Sequence, residues 1–198
     1  MSNRSKLLRT LLVLGIVACI AGAGVFSAFS SQTENSGNII TVGTVTLEDN
    51  DGGTALYNIT GAKPGESKTS CIKVTYKGSL ASTVKLFTPT STPIGELGPY
   101  VNLKVEAGTQ TTSTFPNCEG FAAYSTGGTV YEGTLSAFAT EHSSYANGVA
   151  TLPTGQTKWE TNNAVVYRFT ATLSATAPET AQGKSTNAHT FRWEAQNQ

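Results

Sequence analysis

Apolar and polar residues alternate with a period of two along four stretches of this chain. The apolar positions are Ile72, Val74 and Tyr76; Val101, Leu103 and Val105; Val165, Tyr167, Phe169, Ala171 and Leu173; and His189, Phe191, Trp193 and Ala195. This period puts successive side chains on opposite faces, so each stretch predicts a strand with one buried and one solvated face. Cys71 falls on the solvated face of the first strand. Weaker patterns predict strands over residues 39–47, 55–60, 83–87 and 129–135.

Residues that favour turns separate these strands, and one stretch has helical spacing. The turn candidates are Asp51-Gly52-Gly53, Lys63-Pro64-Gly65 and Gly127-Gly128. The helical positions are Leu135, Phe138, Ala139, His142 and Tyr145, with Asn147-Gly148 expected to end the helix. Many short strands joined by turns predict an all-β fold, a two-sheet β-sandwich with one short helix. No internal repeat or second domain is predicted.

Residues 1–27 have the organisation of a signal peptide. Basic residues come first, and an apolar run follows over residues 11–26. Val25 and Ser27 then occupy the −3 and −1 positions of a cleavage site before Ala28. We therefore predict export of a mature protein that begins at Ala28.

Two alternatives stay open for this leader. An uncleaved membrane anchor needs about 20 apolar residues to cross the hydrocarbon, and this run is shorter and rich in glycine and alanine. Lipidation at Cys19 would follow from the loose lipoprotein signature IVAC at residues 16–19. The sequence stays apolar from Cys19 through Phe26, whereas a lipoprotein usually turns polar there. Cleavage after Ser27 is the preferred interpretation.

Charge and composition narrow the class of protein. The chain has 198 residues, enough for one ordinary domain, and its 13 basic and 13 acidic side chains balance. Loss of the leader removes three of the basic residues and no acidic one, so the mature net charge is −3. Nucleic acid is therefore not an expected partner, and the membrane is contacted only through the leader before cleavage. Abundant threonine, serine and glycine fit a β-rich extracellular domain.

Cleavage also removes Cys19 and leaves Cys71 and Cys118. An even pair of cysteines in an exported domain predicts a disulfide. The bond would close a loop of about 47 residues and stabilise the fold by roughly 3–4 kcal/mol if it acts through chain entropy. From the solvated strand face it would pin a surface loop against the sheet without entering the core. The alternative is two unrelated buried thiols.

No group of residues points to catalysis, a metal or a cofactor. His142 and His189 stand alone, and Ala146 lies where a zinc peptidase would need a second histidine four residues after His142. No serine lies in a G-x-S-x-G motif, and no spacing selects a pair of carboxylates. The acidic run at residues 48–52 is interpreted as a polar turn, with a calcium loop as the alternative. We predict a protein that is not an enzyme.

Four segments of the chain resemble the TasA/camelysin family of exported bacterial proteins, whose leaders are processed by a dedicated signal peptidase. They are residues 28–47 after the leader, ITGAKPGES at 59–67, IKVTYKGSL at 72–80, and AQGKS at 181–185 together with FRWEA at 191–195. The resemblance covers both ends and the first third of the chain. Residues from about 108 to 145, which include Cys118, depart from the family pattern, so the disulfide rests on export alone.

The resemblance implies a jelly-roll-like sandwich, here over residues 39–198, and for the TasA branch assembly into extracellular matrix fibres. In that branch the N-terminal segment of one subunit is donated as a strand to its neighbour; here this would be residues 28–38. Such donation satisfies the backbone groups of an open sheet edge. The leading expectation is a secreted structural protein of a biofilm matrix or surface fibre. Its partner would be itself, beside other matrix or cell-surface components.

Three other interpretations stay open. The alternative to strand donation is that residues 28–38 are simply a disordered N terminus. The camelysin branch is described as a metallopeptidase, an activity for which this sequence offers no zinc-ligand spacing. A monomeric, adhesin-like binding module at the cell surface is the third interpretation.

Overall fold

The computed structural model describes residues 44–197, and β-strands dominate this part of the chain. The strands are β1 (Leu47–Asp49), β2 (Ser67–Tyr76), β3 (Thr83–Phe87), β4 (Val101–Gln110), β5 (Phe121–Ala123), β6 (Thr129–Thr134), β7 (Val149–Ala150), β8 (Ala164–Leu173) and β9 (Arg192–Gln196). One α-helix, α1 (Leu135–Glu141), follows β6, and short 3-10 helices lie at Gly98–Tyr100 and Glu179–Ala181.

The strands form two antiparallel sheets. The large sheet has the order β1-β2-β8-β4, and β4 pairs on its far side with both β5 and β6. The small sheet has the order β7-β3-β9. Apolar side chains from both sheets meet in one core, which makes the fold a two-sheet β-sandwich with one short helix. The predicted all-β class is confirmed.

The core is built from the residues that alternate along the long strands. Ile72 on β2, Leu103 on β4 and Phe169 on β8 are buried, and Leu86 of the small sheet packs into the same cluster. Burial of each such side chain contributes about 1.5–3 kcal/mol. Trp159, from the segment before β8, is also fully buried and adds the largest side chain of the core.

Helix α1 is shorter than its apolar spacing predicts. The side chain of Thr134 accepts a hydrogen bond from the Ala137 amide at 3.1 Å and so caps the helix start. His142 ends the helix, since the Asn147 side chain accepts bonds from the backbone amides of residues 143 and 144 and folds the chain into a turn. Tyr145 therefore lies beyond the helix.

The weaker strand predictions have mixed outcomes. The strand over 83–87 is confirmed, and the strand over 129–135 ends at Thr134 because α1 begins at Leu135. The strand over 55–60 is wrong: this segment is an irregular loop. Of the strand over 39–47, residues 39–43 lie outside the described part, and β1 begins only at Leu47. Strands β5 and β7 were not predicted.

Several predictions fall on residues outside the described range. These are the signal peptide over 1–27, its cleavage site at Ser27 and Ala28, lipidation at Cys19, and the donor segment 28–38. Within residues 44–197, no helix has the length and apolar character that a membrane span requires.

Candidate functional site

Strand β9 ends the small sheet, and its outer edge pairs with no strand among residues 44–197. The direction of its peptide groups follows from its neighbour β3. The Val84 carbonyl accepts from the Thr151 amide at 3.5 Å, and the Thr88 amide donates to the His142 carbonyl at 2.9 Å. Both bonds lie on the side of β3 that is away from β9. Peptide groups of alternate residues point to opposite edges, so the odd-numbered residues of β3 face β9.

The register then assigns a direction to each peptide group of β9. Lys85 of β3 lies opposite Glu194, so Glu194 and its alternate neighbours bond to β3. The N–H and C=O groups of Trp193 and Ala195 point outward. Their side chains stand perpendicular to the sheet on the core side: Ala195 is buried, and Trp193 packs against the core. The outer edge of β9 thus presents backbone donors and acceptors, while the side chains of the same residues are held in place by their packing against the core.

The large sheet has a less regular free edge. Strand β6 is not paired on its outer side by any described strand. Its pairing with β4 shifts between Val105 and Glu106, and the strand contains Gly133 near its end. Register shifts hinder the addition of further strands. The β9 edge, which pairs with β3 without a shift, is the better acceptor of the two.

Aromatic side chains fix the chain where it enters β9. His189 Nε2 lies 2.7 Å from the Tyr57 hydroxyl, and His189 Nδ1 lies 3.0 Å from the Asn187 carbonyl oxygen. The carbonyl can only accept, so Nδ1 carries the proton and Nε2 accepts from Tyr57. Burial lowers the pKa of His189, against the smaller opposing effect of Asn187, and burial raises the pKa of Tyr57. Both groups are neutral structural partners.

Cys71 and Cys118 form the predicted disulfide, with their Cα atoms 5.1 Å apart. The bond pins residues 111–120 against the sheet, as expected. The expected solvation of this strand face is wrong at Cys71, which is only 2% exposed. The loop itself excludes water there, because the Cys71 amide also donates to the Pro116 carbonyl at 3.0 Å.

The same outer face carries a compact charged group. Arg168 Nε and Nη2 lie 2.8 and 2.7 Å from Glu106 Oε2, and Lys104 Nζ lies 3.4 Å from Glu106 Oε1. The guanidinium also stacks 4.5 Å from the centre of the Phe121 ring. Glu106 is buried, and these cations compensate its charge. The group is a structural ion pair that fastens β5 to the sheet.

The remaining predicted candidates show no reactive arrangement. His142 Nδ1 lies 2.7 Å from the Asn147 carbonyl oxygen, where it holds the turn after α1. In the acidic run, Asp51 Oδ1 accepts from the Gly53 amide at 2.6 Å, which makes a polar turn. Across residues 44–197, no three His, Cys, Asp or Glu side chains come together in a way that could hold a metal ion.

A groove with a volume of about 410 Å³ lies between α1 and residues 88–94. Its lining is rich in hydroxyl groups and has no charged side chain. The Thr92 hydroxyl donates to the Pro89 carbonyl at 3.1 Å, and the Thr140 hydroxyl donates to the Ser136 carbonyl at 2.9 Å. These two hydroxyl protons are already used within the fold, whereas Thr88 Oγ1 is buried without a hydrogen-bond partner among the described residues.

The fold and these contacts define the class: over residues 44–197 the chain is an antiparallel β-sandwich domain with one disulfide and a regular strand edge that no described strand covers. A scan against models of known protein families finds no match to this chain, and a search of curated proteins also finds none. The resemblance to the TasA/camelysin family therefore stays a prediction drawn from four segments. Sequence reasoning did not identify the β9 edge, whose only signal was the alternation through Trp193 and Ala195.

Proposed function

We propose that this protein is a secreted structural subunit that assembles with copies of itself into extracellular matrix or surface fibres by strand donation. The observation that carries the proposal is the outer edge of β9, where the peptide groups of Trp193 and Ala195 meet no described strand. An edge of this kind is a template for another chain unless it is shielded. A donated strand satisfies its backbone groups and gives affinity through main-chain hydrogen bonds.

The proposed donor is residues 28–38 of a neighbouring copy, with the sequence AFSSQTENSGN. This segment contains no proline, so each of its residues has an amide that can join a ladder. Strands in sheets usually have about five or six residues, and the segment is long enough to cover all of β9. Its polar composition suits a strand whose outer side would face water.

The attachment point of the donor also supports exchange between copies. The Ser79 amide donates to the Thr44 carbonyl at 2.8 Å, and the Lys77 amide donates to the Thr46 carbonyl at 2.8 Å. The chain thus joins the large sheet as soon as it enters the described range, whereas the acceptor edge belongs to the small sheet. If residues 28–38 paired with β9 of their own copy, they would use the same backbone groups of β9. Only pairing between copies depends on concentration, so a concentration series separates the two arrangements.

The disulfide supports an extracellular location. Disulfides persist in oxidising surroundings and are rare in reducing ones. The bond between Cys71 and Cys118 therefore agrees with the export predicted from the leader. A secreted subunit without a reactive centre would act through its surface and its edges.

The test is electron microscopy and sedimentation of the purified mature protein over a series of concentrations. We expect fibres above a threshold concentration, and we expect a variant lacking residues 28–38 to stay monomeric with an unchanged melting temperature. A synthetic peptide of residues 28–38, added in trans, should bind that variant and cap growth of the intact protein. A scrambled peptide of the same composition is the matched control.

Two results would contradict the proposal. One is a mature protein that stays monomeric at every concentration tested, because intermolecular donation must depend on concentration. The other is unchanged fibre growth after deletion of residues 28–38, which would assign the contact to another part of the surface.

A further inference from the structure

Strand β2 has an outer edge that is covered piece by piece instead of by one long strand. The Tyr76 amide donates to the Asn163 carbonyl at 2.8 Å on the β8 side, so the even-numbered residues of β2 face β8. The odd-numbered residues face outward. Of these, Thr75 lies opposite Glu48 of β1, and the short β1 extends no further along β2 than Val74.

Beyond β1, a side chain and a loop take over the edge. The Lys73 amide donates to Asn50 Oδ1 at 2.8 Å, and the Cys71 amide donates to the Pro116 carbonyl at 3.0 Å. No backbone bond to another described residue occupies the outward side of Thr69 or Ser67. The outward edge at Lys73 and Cys71, which other groups cover, and the outward edge at Thr69 and Ser67, which no described backbone group covers, form one continuous stretch over residues 67–73.

The loop over residues 111–120 is held in place by few contacts. Most of its residues are exposed, and Phe115 is the one that packs against the core. Asn50 Nδ2 lies 3.2 Å from Ser113 Oγ, so the loop also helps to position the side chain that covers Lys73. Gln110 Nε2 donates to the Asn117 and Glu119 carbonyls at 2.9 and 2.8 Å, and the link between Cys71 and Cys118 is the covalent tie. Segments with little buried surface and exposed backbone open at low free-energy cost once a covalent tie is removed.

We propose that the Cys71–Cys118 disulfide latches loop 111–120 over a second interaction edge, and that reduction releases this edge to pair with the same edge of a second copy. In the latched state only Ser67 and Thr69 lack an outward backbone partner among residues 44–197, and this stretch is too short for a strand. In the released state the free stretch spans residues 67–73, the usual length of a strand. The inference concerns β2, and it stands independently of strand donation to β9.

The sequence of the released edge suits an isologous pair. A two-fold axis at Ser70 would place Thr69 opposite Cys71 and Ser67 opposite Lys73 in antiparallel pairing. Lys68 would lie opposite Ile72, so no two lysines would face each other directly. Outward peptide groups on both copies would then exchange hydrogen bonds at Thr69 and Cys71.

Release of the loop requires reduction of the disulfide by a thiol reductant. A dithiol is sufficient. The sulfur–sulfur bond breaks, and Cys71 and Cys118 each gain one electron and one proton. The dithiol loses two electrons and two protons and closes to its own disulfide. No other bond of the chain changes.

The experiment compares three forms of the full chain: the oxidised protein, the protein treated with dithiothreitol, and the variant C71S/C118S. Hydrogen exchange at the backbone amides of positions 71 and 73 is measured in each form, together with sedimentation at several concentrations. At low concentration we expect exchange there to rise about tenfold or more in the two unlatched forms. At high concentration a dimer should form and restore the protection.

Thr69→Pro in the C71S/C118S background supplies the decisive variant. Residue 69 faces outward, so proline removes an edge donor but no backbone bond to β8, and the dimer should be lost. The side-chain bond between Thr69 Oγ1 and Thr170 Oγ1 at 3.2 Å is lost in Thr69→Pro and Thr69→Val alike. Thr69→Val keeps the amide and should retain the dimer. Unchanged exchange on reduction, increased exchange without a dimer, or a dimer that survives Thr69→Pro would each overturn the inference. Thr69→Pro in the oxidised protein should leave any fibres intact, which separates this outcome from failure of strand donation.

Discussion

Single polar side chains in this protein are held by partners that lie far away along the chain. The Tyr57 hydroxyl and His189 Nε2 are 2.7 Å apart across 132 residues of sequence. Glu106 and Arg168 are paired across 62 residues. These environments exist only in the folded state, and for His189, whose pKa is lowered by burial, protonation is therefore coupled to folding.

Stability should therefore fall with acidification because of His189. Burial lowers its pKa below the ordinary value of 6.5, so the folded state favours the neutral ring that accepts from Tyr57. This contribution is complete above pH 6.5 and is lost as the pH falls from there through the folded-state pKa. Urea unfolding of the wild type and of His189→Gln between pH 8 and pH 5 measures it.

The control for this prediction is the difference between the two proteins, because carboxyl groups also titrate in the lower part of that range. We expect the wild type to lose more stability than His189→Gln between pH 7 and pH 5. Parallel curves would show that His189 does not couple protonation to folding.

The sequence predicts the partner of a single side chain only where its chemistry allows few partners. The predicted pairing of Cys71 with Cys118 is confirmed, because the predicted cleavage site leaves these two cysteines and no other partner. The contact between Tyr57 and His189 leaves no local pattern, and the segment around Tyr57 was predicted as a strand. The burial of Cys71 was missed because a distant loop, not the strand, excludes water from it.

At the scale of elements, α1 depends on Thr134, the N-cap residue directly before it. The Thr134 side chain accepts from the Ala137 amide at 3.1 Å, and Phe138 on the first turn packs 4.8 Å from the Tyr131 ring centre. Replacing Thr134 by alanine leaves that amide without its cap and should lower the free energy of unfolding by about 1 kcal/mol. Thr134→Ser, which keeps the hydroxyl, should lose much less. Equal losses in urea unfolding would show that the methyl group matters and the cap does not.

The long strands were predictable because burial of one face imposes a strict period. Strands β2, β4 and β8 each carry this period over many residues, and all three lie where the alternation indicated. Strands β5 and β7 have three and two residues, too few to show any period. The helix end was misplaced because Asn147 draws the chain into a turn before Tyr145, a side-chain effect that apolar spacing does not contain.

At the scale of the whole molecule, the candidate site could not be read from the sequence. Whether a strand is an edge depends on its neighbours, and the order β7-β3-β9 involves strands that are far apart in the chain. Trp193 and Ala195 show the same alternation as residues in the middle of the large sheet. The pattern correctly predicts that Ala195 is buried and that Trp193 packs against the core, but it carries no information about where their peptide groups point.

The disulfide ties the whole domain together, and its loss should be the largest single change in stability. The bond joins positions 47 residues apart, so its removal frees a long loop in the unfolded chain and should cost about 3–4 kcal/mol through chain entropy. C71S/C118S at low micromolar concentration, where copies do not pair, should show this loss in urea unfolding. The reduced wild type is the matched control, because it has the same connectivity with the native side chains. If the reduced wild type keeps the stability of the oxidised protein, the bond does not stabilise the fold through the entropy of the unfolded chain.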